Sequence, residues 1–494
     1  MNADKLIFDK MEVDIKLARE YILQQNAVVN GILHYKTLSV NKRVSKKEEL
    51  SELYEKLFTL SELIKENQQL FCQLEYYTRD IPLKEVEEVD LKLLVNHLLC
   101  SADCDIDFEV KGPFLLIDEN TPLTNLGRIT QIYRSYSPII VSSLKTIHMC
   151  HLFQQLCIQA GLVDVSLAIF TDESEIDGDS VLMKFSNIRE IQNGCLGIIT
   201  NRSDIDSAVE VFLETPSRKP WAVCNILVEE CAVEKFKQAM SWKTRNQGSV
   251  DAAIAKQCTA SYSYEGKLFL FEYVGEKPTE RHVITINAYR TVKDLLSVAE
   301  KCVSVSLWAN DVAESNELAH NLNANIIWIN GFCNFNGPIE TSRAYFSILE
   351  EQDSFTTQST EEIKRVLKVQ SEWLKIDVCK RVRLLRKCFN VKINLSNFVH
   401  VDKDFLCMGV TLPIGLLYLD KDTTRVFEMI ALGNGLLVDI NVAENNNIYN
   451  KLKEIGAPVE IVKEVSREGD MKIYKNLIYK TKVIWTSYGT IFAN

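Results

Sequence analysis

Glycine and proline are scarce in this chain, which has 19 Gly and 10 Pro among its 494 residues. Glycine therefore makes up under about 4% of the sequence, against an average of ~7%. Loops that wrap phosphate groups with backbone N–H groups usually need glycine, because a side chain would block the close approach. The sequence thus offers few places for a phosphate-wrapping loop.

Two further features are absent, a long apolar run and a long basic stripe. No stretch of ~18 consecutive apolar residues occurs, so we expect no membrane span. The first residues, MNADKLIFDKMEVD, carry acids where a secretory signal needs an apolar run. The net charge of −11 argues against general nucleic-acid binding. We therefore expect a cytoplasmic protein whose 14 cysteines are reduced thiols.

The composition that remains is that of an ordinary globular protein. Hydrophobic residues make up 46% and charged residues 25%, which excludes a disordered or fibrous chain. At ~150 residues per domain, the length allows about three structural units or one large α/β enzyme.

Two groups of His and Cys residues look superficially like metal ligands. They are His97 with Cys100 and Cys104, and His148 with Cys150 and His151. Neither group has a second ligand pair at zinc-site spacing. We interpret both groups as structural and predict no metal site.

Hydrophobic patterning predicts alternating strands and helices. Strands are predicted at 113–117, 138–141 and 165–169, with one helix from Pro122 and another that ends at Gly161. This β-α-β-α-β order is typical of a doubly wound parallel sheet, so the predicted fold class is α/β.

The alternation continues over 196–329, and a polar stretch at 350–360 predicts a linker. One long basic amphipathic helix is predicted at 361–389.

After this helix the first pattern returns. The segment PIGLLYLD at 413–420 is similar to GPFLLID at 112–118. The segment EIGAPVEIV at 454–462 is similar to QAGLVDVSL at 159–167. A spacing of about 300 residues indicates domain duplication rather than a solenoid.

Several short motifs in chain order carry a resemblance to one enzyme family. They are Asn-Thr-Pro-Leu at 120–123, Gln-Ala-Gly-Leu at 159–162, Glu-Ile-Gln-Asn at 190–193, Asp-Ile-Asp-Ser-Ala-Val at 204–209, Asn-Ile-Leu-Val-Glu-Glu at 225–230, Ala-Asn-Ile-Ile-Trp-Ile-Asn at 324–330 and, in the tail, Leu-Gly-Asn at 432–434. Together they resemble the aldehyde dehydrogenase superfamily. The partial second copy is most similar to family 16, which carries two dehydrogenase-like regions in one chain.

The resemblance implies a domain plan. A degenerate Rossmann-like nucleotide lobe would span 1–189 and a degenerate catalytic lobe 190–345. A linker at 346–360 would lead to a partial second lobe at 361–494. The family is also known to oligomerise through an interlocking strand and a C-terminal tail.

Two catalytic positions of the family are occupied by matching residues. Asn120 would donate its amide to the oxyanion, although an Asn before Pro122 also fits a simple turn. Glu190 would be the general base that activates water, although a solvated Glu beside Arg189 is the other interpretation.

The nucleophile position is altered. The family's register places it at Pro220, within Ser-Arg-Lys-Pro-Trp at 217–221. Proline has no nucleophilic atom. Cys224 lies four residues later and is interpreted either as a displaced nucleophile or as an ordinary buried thiol.

The positions that would hold a cofactor are altered too. The family's nucleotide strand ends in Lys, whereas this chain has Pro-Ile-Ile-Val-Ser-Ser at 138–143, with Lys145 out of register. The range 168–189 holds one glycine, Gly178, among five acids. A pyrophosphate is bound by backbone N–H groups rather than by carboxylates. We therefore expect no cofactor, and NAD or NADP only if the protein is active.

Three hypotheses follow. The first is an inactive pseudoenzyme with a binding or scaffold role. The second is an NAD(P)-dependent aldehyde oxidoreductase that uses Cys224 and Glu190. The third is a structural partner, in a homo-oligomer or with an intact aldehyde dehydrogenase, in which the tail copy packs where the first copy lacks its own tail.

Overall fold

A computed structural model describes most of the chain. The described residues are 5–8, 11–34, 50–102, 112–117, 119, 121–133, 136–170, 194–216, 219, 221–246, 250–275, 282–299, 302, 304–335, 337, 354–395, 397–463, 465, 468–475 and 480–487. Within these ranges, no helix is both long and apolar enough to cross a membrane.

The chain folds into two units. Unit 1 comprises Met1–Gln192, Glu214–Val223 and Cys333–Arg343, and unit 2 comprises Asn193–Leu213, Cys224–Phe332 and Ala344–Asn494.

Unit 1 is rich in helices and contains a small parallel sheet. Its elements are β1 (Lys5–Phe8), β2 (Met11–Asp14), α1 (Lys16–Val29), α2 (Leu50–Glu66), α3 (Gln68–Arg79), α4 (Leu83–Glu85), a π-helix (Val86–Asp90), α5 (Leu91–Ala102), β3 (Phe114–Leu116), α6 (Pro122–Leu126), α7 (Ile129–Tyr133), β4 (Ile139–Ser142), α8 (Ile147–Gln159) and β5 (Ser166–Ile169). The order β3-β4-β5 is parallel throughout. The predicted β-α-β-α-β pattern is therefore confirmed.

Both faces of this three-stranded sheet are covered by apolar side chains. Leu115 and Ile140 join the core formed with the helices, while Phe114 and Val141 belong to a second cluster. Burial on both faces explains why these strands are continuous apolar runs rather than alternating ones.

Unit 2 contains a sheet of ten strands. Its elements before the tail are β6 (Cys195–Ile199), α9 (Ile205–Leu213), β7 (Val223–Glu229), α10 (Val233–Thr244), α11 (Ala252–Ala255), β8 (Ala260–Tyr264), β9 (Lys267–Phe271), β10 (Val283–Tyr289), α12 (Val292–Ala299), β11 (Ser304–Trp308), α13 (Val312–Asn321) and β12 (Ile326–Ile329). Its tail elements are β13 (Ser354–Thr357), α14 (Glu361–Leu374), α15 (Val378–Phe389), β14 (Phe398–Val401), β15 (Phe405–Leu412), β16 (Leu416–Leu419), α16 (Val426–Leu432), β17 (Gly435–Asp439), α17 (Ile440–Asn445), α18 (Ile448–Glu454), β18 (Val459–Val462), β19 (Met471–Tyr474) and β20 (Lys480–Ser487).

Tail strands complete the ten-stranded sheet, whose order is β14-β15-β20-β12-β11-β6-β7-β10-β9-β8. β20 pairs in parallel with β12, and β15 and β14 continue outward in antiparallel pairing. The Nζ of Lys482 donates to the carbonyl oxygens of His320 at 2.8 Å and Leu322 at 2.6 Å. Because the last carbonyls of a helix lack partners within the helix, this lysine caps the end of α13.

The remaining tail strands form a five-stranded sheet in the order β13-β19-β16-β17-β18. Within it, β16, β17 and β18 are parallel neighbours in chain order, as β3, β4 and β5 are in unit 1. β13 lies inside the range predicted as the linker and pairs with β19.

The two similar segments end their helices in the same way. Gly161 after α8 and Gly456 after α18 both have positive φ, at 89° and 80°. In both, the N–H of the following residue bonds five residues back, Leu162 to Cys157 and Ala457 to Leu452. This is the Schellman arrangement, in which glycine is favoured because it adopts a left-handed conformation without strain.

The prediction of one helix over 361–389 is wrong. The structure has two helices, α14 and α15, separated by Lys375, Ile376 and Asp377. The Asp377 carboxylate accepts a hydrogen bond from the N–H of Cys379 at 2.8 Å. This N-cap begins a second helix, and a periodicity count does not detect such an interruption.

We predict that alanine at either helix-terminating glycine destabilises the fold by about 1 kcal/mol, because a Cβ disfavours the left-handed region. The space is not limiting, since nothing lies within 4 Å of a Cβ built on Gly456. Urea denaturation of Gly456→Ala and Gly161→Ala measures the loss. Gly456→Asn is the control and should lose less, since Asn tolerates this conformation. Equal losses for Ala and Asn would contradict the explanation.

Candidate functional site

The structure describes the predicted site only in part. Asn120, Glu190 and Pro220 lie outside the described residues. Cys224 is described, as are Lys219 and Trp221, which flank Pro220. Cys224 belongs to unit 2, whereas Lys219 and Trp221 belong to unit 1.

Cys224 is the second residue of β7 and is half-buried. Its thiol lies within electrostatic range of Cys195 and Cys302. Burial is the main reason that the pKa of Cys195 lies far above its usual value, and the two neighbouring thiols raise it further. Burial is also the main cause for Cys302, whose pKa is raised to about 11, with Cys224 as the second cause. Cys224 thus belongs to a group of three thiols, with Cys195 on β6 and Cys302 just before β11, and this grouping is consistent with a structural thiol.

The residue before Pro220 is anchored by buried charge. The Lys219 side chain is 1% exposed, and its Nζ donates to Asp90 Oδ1 at 2.7 Å and Oδ2 at 2.6 Å. Glu85 Oε1 lies 3.3 Å from the same Nζ. Burial disfavours the ammonium, but Asp90 and Glu85 outweigh burial and raise the pKa of Lys219. Lys219 therefore stays protonated inside unit 1.

The residue after Pro220 is anchored by packing. Trp221 is fully buried, and its indole N–H donates to Cys333 Sγ at 3.0 Å. Its ring meets Phe335 edge-on, with centroids 5.3 Å apart. Lys219 and Trp221, the neighbours of Pro220 in the sequence, are thus both held by contacts within unit 1.

The partners of Lys219 lie on two short helices that follow α3. Glu85 ends α4, and Asp90 ends the π-helix that follows directly. On α3, Glu75 and Arg79 lie one turn apart and form a buried ion pair. Burial raises the pKa of Glu75 to about 7 and also raises the pKa of Glu85. These five side chains, called the charge cluster below, are a site that the sequence reading did not identify.

One signal in the sequence did point to this cluster. Phe71, Leu74 and Glu75 share the buried face of α3. A glutamate at such a position needs a partner, because an unpaired buried carboxylate is strongly disfavoured. Lys219 gave no comparable signal, since it lies 129 residues from Asp90.

Two of the residues that resembled metal ligands, His148 and His151, contact side chains of α1. His148 Nε2 lies 3.3 Å from Asn26 Oδ1, and His151 Nε2 lies 3.2 Å from Gln25 Oε1, so both connect α8 to α1. In the part of the chain that the structure describes, no group of three His, Cys, Asp or Glu residues is arranged to hold a metal ion. The side chains of Cys100 and Cys104 lie outside that part.

The end of β4, where the family's nucleotide strand carries a lysine, is lined by hydroxyl groups. Ser142 Oγ and Thr146 Oγ1 are 2.8 Å apart, and Ser143 lies beside them. Lys145 pairs with Glu119 at 2.8 Å on the surface. A hydroxyl group can donate to or accept from a ribose or a phosphate oxygen. The range 171–193 lies outside the described residues.

We predict that Lys219→Ala destabilises the protein by about 3–5 kcal/mol, since it leaves Asp90 as an unpaired buried charge. Urea denaturation measures the change. Lys364→Ala is the matched control, because Lys364 forms an exposed pair with Glu361 at 2.8 Å. Exposed pairs contribute less than about 1 kcal/mol. A loss for Lys219→Ala no larger than for the control would contradict the buried ion pair.

Comparisons with known proteins give a fold likeness only. No family model matches the chain, and no curated protein matches it. Among solved structures, betaine aldehyde dehydrogenase from Staphylococcus aureus in complex with NAD+ is similar with 15% identity and a TM-score of 0.48, over 64% of this chain and 79% of that one. Glyceraldehyde-3-phosphate dehydrogenase GapN from Methanocaldococcus jannaschii, complexed with NADP, is similar with 13% identity and a TM-score of 0.47, over 68% and 92%. Indole-3-acetaldehyde dehydrogenase with NAD+ has 11% identity and a TM-score of 0.46, over 66% and 83%.

Proposed function

We propose that this chain is an aldehyde dehydrogenase-like pseudoenzyme with a binding or scaffold role. The observation that carries the proposal is the segment at the nucleophile register, where Pro220 stands between two buried residues. Aldehyde oxidation in the family requires a thiolate that attacks the carbonyl carbon. Proline cannot supply one.

The anchoring of this segment supports the proposal. Moving Cys224 to the nucleophile position would shift Lys219 or Trp221 away from its contacts. Breaking the Lys219–Asp90 pair would leave a buried charge without its partner, at a cost of about 3–5 kcal/mol. The strand position of Cys224 is therefore favoured over a rearranged active loop.

The alternative is an active NAD(P)-dependent aldehyde oxidoreductase that uses Cys224 and Glu190. In that function Cys224 forms the thiohemiacetal, Asn120 stabilises the oxyanion, and Glu190 activates the deacylating water. Bound NAD or NADP would accept the hydride. This alternative requires a cofactor site, for which the chain offers the hydroxyl groups near β4 but neither the family's lysine nor its glycine turn.

An assay of aldehyde oxidation distinguishes the pseudoenzyme from the active oxidoreductase. We predict that the purified full chain, mixed with a panel of aldehydes and with NAD or NADP, forms no reduced nicotinamide above the rate of a heat-denatured sample. An intact aldehyde dehydrogenase is the positive control. Cys224→Ala should leave this background unchanged, as should Cys231→Ala, a matched control at an exposed thiol. Robust turnover that Cys224→Ala abolishes and Cys231→Ala preserves would establish the alternative.

A second proposal concerns the role of the tail, and it rests on the pairing of the tail strand β20 with β12. We propose that the tail copy substitutes for a partner subunit at this sheet edge. The family that the chain resembles oligomerises through an interlocking strand and a C-terminal tail. Here three tail strands extend the sheet beyond β12 within one chain. β12 is therefore already paired, and the edge of the sheet on this side is β14, a strand of four residues. A very short edge strand is one way in which proteins avoid pairing with another chain.

We therefore predict a monomer in size-exclusion chromatography with light scattering, both alone and mixed with an intact aldehyde dehydrogenase. Lys482→Met should raise hydrogen exchange of the β12 amides, since Lys482 caps α13 beside this pair of strands. Lys403→Met is the control, because Lys403 is exposed in the turn between β14 and β15. A stable complex with the intact enzyme that leaves the exchange of β12 unchanged would place the partner at another surface.

A further inference from the structure

The charge cluster of unit 1 contains more carboxylates than cations. Its side chains are almost fully buried: Glu75 is 1% exposed, Arg79 3%, Asp90 3%, Lys219 1% and Glu85 18%. Three carboxylates therefore share two cations. If all five were ionised, the cluster would hold one net negative charge in the interior.

The three carboxylates of the cluster are not paired equally well with its two cations. Lys219 bonds both oxygens of Asp90, and Arg79 pairs with Glu75 on the same helix. Glu85, at 3.3 Å from Lys219, shares a cation that Asp90 already holds at 2.6 Å. A buried carboxylate in excess is neutralised by a proton more readily than it stays ionised.

Among the residues that the structure describes, the neighbouring titratable groups named below do not supply the missing positive charge. Burial, with nearby carboxylates, raises the pKa of each of Cys72, Cys150 and Cys333 to about 12, so these thiols stay neutral. Glu119 also faces Arg79, but it pairs with Lys145 at 2.8 Å.

We propose that the charge cluster binds one proton at neutral pH, shared between Glu75 and Glu85, and that release of this proton loosens the segment from Lys219 to Trp221. Proton release leaves one net negative charge in the interior, and opening of the structure beside Lys219 relieves this charge because it admits water. Trp221 lies two residues from Lys219 and would be exposed by the same opening. Two carboxyl groups coupled through the same cations titrate as a pair rather than individually.

The raised pKa values of Glu75 and Glu85 determine how the stability of the fold changes with pH. Burial raises the pKa of Glu75 to about 7, and the pKa of Glu85 is also raised. A carboxyl with a raised pKa binds more protons in the folded state than in the unfolded state. Its contribution to stability therefore falls as pH rises from about 4.5 to about 7, and it is constant above that range.

Infrared spectroscopy detects the proton directly. A protonated carboxyl group has its own carbonyl stretching band, and pH-difference spectra of the full chain should show one such band at about pH 6 that is gone by about pH 8.5. Glu75→Gln should remove this band or shift its midpoint by more than one pH unit. Glu88→Gln, at an exposed neighbour, is the control and should leave the band unchanged.

Hydrogen exchange tests the coupled motion. In the wild type, exchange of the peptide covering 219–223 should rise between about pH 6 and 8.5 by more than the intrinsic base-catalysed increase. Glu75→Gln should abolish this excess, and Glu88→Gln should not.

The proposal is overturned if the wild type shows no carboxyl band at pH 6, or if the band survives unshifted in both Glu75→Gln and Glu85→Gln. It is also overturned if the band titrates while exchange at 219–223 follows only the intrinsic rate. If Glu75→Gln does not fold, the infrared band and the exchange at 219–223 are measured in Glu85→Gln and in the wild type instead.

Discussion

The parallel pairing of β12 with β20 joins parts of the chain that lie about 150 residues apart into one sheet. All four residues of β12 are buried, and Ile327 faces Ile484 across the pair. Without β20, this apolar strand would expose a row of unpaired backbone groups, which is an aggregation hazard. The tail is therefore an integral part of unit 2, and the five-stranded tail sheet is held to the same unit through this strand.

Local patterning predicted the elements that one continuous segment determines. The strands β3, β4 and β5 were predictable because apolar runs of three to five residues bounded by turn residues leave few other structures. The similarity between residues 159–167 and 454–462 was visible for the same reason, and it includes the two glycines that end α8 and α18. The break between α14 and α15 was missed because one cap residue, Asp377, outweighs a periodicity that continues across it.

The candidate site was predictable only in part. The proposed register of Pro220 was counted back from a predicted strand and helix, and the structure contains these two elements as β7 and α10. The alignment of Pro220 with the family's nucleophile stays a prediction. The charge cluster could not be derived in the same way, because Lys219 meets Asp90 only through tertiary folding. Glu75 on the buried face of α3 was the one local clue, and it indicated that a partner exists without indicating which residue it is.

Burying an ion pair in place of apolar residues does not by itself favour stability, since desolvation offsets most of the attraction. Such a pair instead fixes one arrangement, because every alternative leaves a charge unpaired in the interior. At Lys219 this constraint acts on the residue next to the nucleophile register. A thiol introduced at Pro220 would stand in the sequence between Lys219, which pairs with Asp90, and the buried Trp221. Catalysis requires a nucleophile that an adjacent base activates and that meets the carbonyl carbon at a defined angle. Restoring the sulfur atom alone supplies neither requirement. The described contacts of Lys219 and Trp221 instead connect these two residues to the rest of unit 1.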